Sequence, residues 1–189
     1  FKIAYTAIFY VTLQKNRKTD SYMNVVIKET DIIKAANEGM DEFVNLFSNA
    51  ILDSIGGSLT AENMAELSAD QITLLAYIWL RDEVMDGGFV QLIHNGYGPF
   101  IFDNPFARAM KQWGLRDFSK LLYSARKLYN ENKEEIEREC SDEEFMALFE
   151  RFPDFDDFDD TFVENEEEWT SEIAHYIDGH IDEFAKIEQ

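Results

Sequence analysis

The sequence predicts an all-α protein. Apolar residues recur at intervals of three and four along most of the chain, the spacing that gathers them on one helix face. Residues that cap or stop helices stand where those runs begin and end. Beyond the first arm no stretch alternates apolar and polar residues as a half-buried strand does. At 189 residues with 46% hydrophobic content, the chain can bury a sizeable core. No internal repeat or flexible linker is evident, so one compact multi-helix domain is expected over 29–189.

The elements follow in order. Phe1 to Leu13 is apolar and β-prone, and Gln14 to Asp20 is polar and basic. The apolar run is too short to span a bilayer as a helix, and no small-residue cleavage site follows it, which argues against a signal peptide. Two readings of residues 1–28 stay open: a short strand or extended arm packed on the body, or an extension foreign to a protein that starts at Met23. From Asp31 to Ile55 the apolar residues run at helical spacing, with Thr30 or Asp31 as N-cap and Gly56-Gly57 as the stop. Thr60 caps a short helix to Leu67. Ser68 precedes the most apolar segment, Ile72 to Leu80, which ends at Asp86-Gly87-Gly88 and is the expected centre of the core. Phe89 to His94 forms another short helix, closed by the turn Asn95 to Pro99. Asn104-Pro105 opens a helix that runs to Trp113 and stops at Gly114. Arg116 to Tyr129 is the markedly basic helix. Ser141 with Glu144 makes a capping box before Phe145, and Pro153 breaks the chain again.

The charge is distributed unevenly. Of a net −21, about −19 lies between Glu131 and Gln189, where 23 Asp and Glu face 4 Lys and Arg. Such a run ordinarily marks a self-repelling, disordered tail. Here the acids alternate with Phe145, Phe149, Phe152, Phe155, Phe158, Phe162, Trp169, Ile173, Tyr176, Ile177, Ile181 and Phe184, again at helical spacing. A folded scaffold that holds many carboxylates in water is therefore expected. Its field repels nucleic acid and anionic membrane and attracts basic partners. The single cysteine, Cys140, excludes an internal disulfide and fits a reducing cytoplasm. Its acidic neighbours raise rather than lower a thiol pKa.

The remaining motifs carry no specific chemistry. An EF-hand loop needs oxygen ligands at positions one, three and five and glycine at six. Loops starting at Asp154 or at Asp157 both fail that register. Glu172 and His175 form one E-x-x-H pair where a di-iron bundle needs two, so His175 and His180 are expected at the surface or an interface. Gly96-Tyr97-Gly98 lacks the third glycine and the preceding strand of a dinucleotide site. No nucleophile–base arrangement stands out, and solvated carboxylates lack the apolar pocket that raises a catalytic acid's pKa. No catalytic residue, metal site or cofactor is expected. Physically, Gly87-Gly88 lets the chain leave one helix through a left-handed turn and enter the next. Phe89 packs back on the core, and Gln91 and Asn95 satisfy backbone groups of the loop.

Asp86-Gly87-Gly88-Phe89-Val90-Gln91, followed by Asn95 and Gly98, resembles the pattern G-G-F-x-Q-x-x-x-N-x-x-G of a bacterial family of domains of unknown function that includes a DNA-mimic protein. Ala109 to Gly114 is similar to that family's A-L-x-x-I-G segment. Phe158-Asp159-Asp160-Thr161-Phe162 and Ile173 to Ile177 are similar to its L-D-D-x-F and L-x-x-Y-I stretches. The resemblance covers roughly Ser54 to Phe184. Residues 1–53 have no clear counterpart, and His94 and Gly96 depart from the family's aromatic and small polar residues. The resemblance implies an all-helical fold. In the characterised member it implies an acidic surface that imitates duplex DNA, occupies the DNA-binding face of a transcription factor and relieves repression.

Charge density permits the same role here. Eighteen acids in the 38 residues from Glu131 to Glu168 amount to roughly one per 3 Å of helix, close to the spacing of about 3.4 Å along one DNA strand. The expected function is thus a cytoplasmic, non-enzymatic DNA mimic that binds a basic, DNA-binding protein such as a repressor. Its expected contacts are Glu134, Glu135, Asp142, Glu143, Asp156, Asp157, Asp159, Asp160, Glu166, Glu167 and Glu168. Direct contact with nucleic acid or membrane is not expected, and a homodimer is left open. The alternatives are an immunity-like inhibitor that plugs the basic cleft of a toxin or nuclease, and an acidic interaction protein without mimicry.

Overall fold

A computed structural model describes residues 25–189; the expected N-terminal arm, up to Asn24, lies outside them. The described chain is helical apart from one short sheet. In order it runs β1 (Val26–Lys28), α1 (Glu29–Glu38), α2 (Met40–Ser54), a 3-10 turn (Asn63–Glu66), α3 (Ala69–His94), α4 (Gly98–Phe102), α5 (Phe106–Gln112) and α6 (Arg116–Ile136). Then come α7 (Asp142–Arg151), a second 3-10 turn (Pro153–Phe155), α8 (Asp156–Gly179), α9 (Ile181–Phe184) and β2 (Lys186–Glu188). The all-α expectation holds, with a three-residue parallel ladder as the addition: Val26 pairs with Lys186 and Lys28 with Glu188. Three residues are too few for alternation to register in a sequence. Their partner strand lies at the far end of the described chain.

Several boundaries differ from expectation for local reasons. The run from Asp31 to Ile55 is two helices, because Gly39 is extended (φ 156, ψ 175) and breaks it. The segment after Thr60 is a 3-10 turn, capped as expected by Thr60, whose Oγ1 accepts from the Asn63 N–H at 3.2 Å. The basic helix continues past Tyr129 to Ile136. Glu131, Glu134 and Glu135 therefore end the same helix that Lys120 and Arg126 begin.

The described residues fall into two compact units. One comprises 25–75 with 167–189. In it Ser68 and Gln71 cap α3 reciprocally, Ser68 Oγ accepting from the Gln71 N–H and Gln71 Oε1 from the Ser68 N–H. The same two side chains donate to the carbonyls of Glu183 and Phe184 at 3.0 and 2.8 Å. Phe184 is buried and meets the Phe47 ring edge-on at 6.3 Å. Buried polar groups are thus satisfied where α9 joins the start of α3.

The other unit comprises 76–166. Its core is aromatic: Tyr77, Phe106 and Phe162 surround Phe118 with centroids 5.7 to 6.1 Å away. Tyr129 stacks on Phe102 at 4.8 Å. Edge-on and offset contacts of this kind add to the burial of the rings themselves. The apolar stripe of the acidic third is real. Phe155, Phe162, Trp169, Ile173, Ile177 and Phe184 are all buried, so this strongly charged stretch is folded.

Candidate acidic interaction surface

Five of the eleven expected contact carboxylates, Asp142, Glu143, Asp156, Asp157 and Asp159, sit in the first turn of a helix. Asp142, Glu143 and Glu144 fill the first turn of α7, and Asp156, Asp157 and Asp159 that of α8. There the exposed N–H groups carry the positive end of the helix dipole and favour nearby anions. This is a local reason why so acidic a sequence still forms helices. The α7 start is fixed further by the expected capping box: Ser141 Oγ accepts from the Glu144 N–H, and Glu144 Oε2 accepts from the Ser141 N–H. That backbone bond holds the Glu144 carboxyl below its ordinary pKa, and Arg138 adds to the effect. Glu134 and Glu135, in contrast, lie at a helix C-terminus, where the dipole disfavours them. An ion pair from Arg151 to Glu135 offsets this.

Short contacts hold α7 in place although Leu148 is its one buried residue. His94 Nδ1 lies 2.8 Å from the Ile136 carbonyl, to which it donates as Nδ1–H, and its ring lies 4.6 Å from that of Phe145. Phe145, Phe149 and Phe152 are half-buried, and Met146 is exposed.

The eleven expected contacts divide. Glu134, Glu135, Asp142, Glu143, Asp156, Asp157, Asp160, Glu167 and Glu168 are exposed. Glu166 is turned inward, its side chain only 13% exposed, with Arg81 Nη1 at 3.8 Å. Asp159 is also half-buried, and it serves the kink in α3. Gly87 (φ −155, ψ 23) and Gly88 (φ 73, ψ −176) interrupt that helix, so the Phe89 N–H lacks a partner in the preceding turn. Asp159 Oδ1 accepts from it at 2.8 Å, an N-cap supplied from another helix. A Cβ on Gly88 would collide with the Asp159 carboxyl, 2.7 Å from its Cγ. Burial raises the Asp159 pKa to about 6, Asp156 and Asp160 push it the same way, and the Phe89 bond opposes them.

The other motif residues are structural as well. Phe89 is fully buried. Gln91 and Asn95 do not satisfy backbone groups. Both Nδ2 of Asn95 and Nε2 of Gln91 donate to Glu83 Oε2 at 2.8 and 3.1 Å, and Gln91 also reaches Asp86 Oδ2 at 2.8 Å. A carboxylate is the stronger acceptor, which is why these amides turn to the acids beside them. Gly98 lies against Tyr129, whose Cε2 would be 2.6 Å from an added Cβ. The Tyr129 hydroxyl donates to Glu137 Oε1 at 3.0 Å. Sequence reasoning missed Asp159, Glu83 and Glu137 as parts of this framework. The pairing of the kink with the D-D-x-F stretch appears only once α8 packs beside it.

Among the described residues no group of three His, Cys, Asp or Glu is placed to hold a metal ion. None of the described helices is long and apolar enough to cross a membrane.

The family model described as DMP19-like protein matches residues 65–180. The chain belongs to the DMP19-like family. It is 36% identical over 129 residues to the DNA mimic protein DMP19 of Neisseria meningitidis serogroup B (strain ATCC BAA-335 / MC58), covering 68% of this chain and 78% of that protein. The resemblance read from the glycine–phenylalanine motif is therefore confirmed. The DMP19-like match begins in the first 3-10 turn and ends just past α8. It takes in the α3 kink, Asp159 and every expected contact carboxylate, and leaves out β1, α1, α2, α9 and β2.

Proposed function

We propose that this DMP19-like chain acts as a DNA mimic: its acidic helices bind the basic face of a DNA-binding protein, such as a transcriptional repressor, and block its DNA site. The observation that carries this reading is the family match across the whole stretch from Glu131 to Gly179, where nine of the eleven expected carboxylates stand exposed. Buried aromatic and aliphatic side chains fix the helices that carry these carboxylates before any partner arrives. A preorganised array loses less entropy on binding than a flexible acidic tail. Long-range attraction accelerates the encounter, and charge-assisted bonds to Lys and Arg then fix it. The role is one of binding, with no catalytic step.

The test is competition. A DNA-binding protein captured on the immobilised chain is recovered from it and bound to its labelled duplex, and the free chain is then titrated in. The duplex should be released by the native chain. Release should fail with Asp142→Lys, Glu143→Lys, Asp156→Lys and Asp157→Lys combined. A ternary complex with the duplex still bound would overturn the mimic reading. Capture of a nuclease or toxin enzyme, with loss of its activity, would favour the immunity-like alternative.

A further inference from the structure

On α7, Met146 is 63% exposed, and its four neighbours on the helix surface, three and four residues away, are Asp142, Glu143, Phe149 and Glu150. Three of these are exposed acids and the fourth is a half-buried ring. Among the described residues, no ion pair engages Asp142, Glu143 or Glu150. The nearby Arg151 is committed to Glu135 and lies over the Phe152 ring. The arrangement is an apolar centre within a rim of like charge, the anatomy of an interface anchor. A methionine thioether is flexible and adapts to the shape of what covers it. Duplex DNA offers a comparable group among its phosphates, the thymine methyl, which apolar side chains of recognition elements contact.

We propose that Met146 and Phe149 form an apolar anchor, ringed by Asp142, Glu143 and Glu150, for a basic amphipathic helix that carries an apolar side chain among its Lys and Arg. The proposal rests on the mimic reading and specifies what the partner must present. Charge complementarity selects the occupant. A second copy would set one acidic rim against another, and an anionic membrane would be repelled by the same three carboxylates. The anchor supplies affinity that salt does not screen, and the rim supplies the salt-dependent remainder.

Two synthetic basic helical peptides of equal charge, differing only by Leu or Ser at the centre of the apolar face, test this by fluorescence anisotropy. The native chain should bind the Leu peptide about tenfold more tightly than the Ser peptide, at both low and high salt. Met146→Ser should abolish that preference while leaving the dependence on salt and the thermal melt unchanged, and Met146→Leu should retain it. Equal binding of the two peptides by the native chain would overturn the anchor and leave the mimic reading standing. So would a preference that survives Met146→Ser. Binding of neither peptide would overturn both. Sedimentation that shows a native dimer dissociated by Met146→Ser would assign the face to a second copy and overturn the proposal.

Discussion

At the scale of single residues, the α3 kink concentrates the sensitivity of the 76–166 unit. Gly88 holds a positive φ and has the Asp159 carboxyl where a Cβ would go. Gly88→Ala should therefore destabilise by about 2 kcal/mol or more, adding backbone strain to a displaced cap; a melting curve within error of the parent would refute this. Asp159→Ala leaves the Phe89 N–H without its acceptor and should cost about 1–3 kcal/mol, whereas Asp159→Asn keeps an oxygen there. Asp159 also carries a sign. Its pKa is raised from 3.8 to about 6 in the folded protein, so the native state binds the proton more tightly than the unfolded chain does. The resulting stabilisation is complete below 3.8 and is lost as the pH rises through about 6. Denaturant titrations of the parent and of Asp159→Asn between these limits should diverge, with the parent's relative stability falling as the pH rises. A pH-independent difference would refute the assignment.

At the scale of elements, α7 and α8 are both acidic but differently anchored. Helix α8 buries Phe162 within the 76–166 unit and Trp169, Ile173 and Ile177 within the other, whereas α7 buries Leu148 alone. Burial of apolar surface sets how costly local opening is, so α7 amides should exchange hydrogen well before those of α8. Loss of the cap should sharpen the contrast. Ser141→Ala removes the acceptor for the Glu144 N–H and should weaken α7 by about 1 kcal/mol. The expected readout is faster exchange confined to α7. Uniformly faster exchange throughout the 76–166 unit would show that α7 unfolds only with the rest.

At the scale of the whole molecule, charge dominates. With a net charge of −21 concentrated in one third of the chain, self-repulsion opposes folding. Raising the ionic strength from about 10 mM to about 150 mM shortens the screening length from roughly 30 to 8 Å, and the melting temperature should rise with it. The same change should weaken binding of a basic partner. Opposite responses of stability and affinity to one variable are the signature of an acidic surface held together by an uncharged core. A partner affinity flat over that range would remove the electrostatic basis of the proposed function.

What the sequence by itself determined is what depends on near neighbours along the chain. The 3.6-residue periodicity from Phe145 to Phe184 revealed a folded acidic third, the Ser141–Glu144 box marked the start of α7, and the glycine–phenylalanine motif revealed the family. Each signal lies within a few residues, so its physics is readable from order alone. Tertiary structure decided the rest, because the deciding partners are far apart in the chain. Asp159 is indistinguishable from Asp160 in sequence, yet one caps the Phe89 N–H 70 residues away while the other stays exposed. Glu166 faces Arg81 while Glu167 and Glu168 face solvent. The strand at Val26 exists only because Lys186 comes beside it. Sequence located the charge; packing chose which carboxylates hold the fold and which remain available to a partner, because burial and hydrogen-bond geometry arise only when the helices meet.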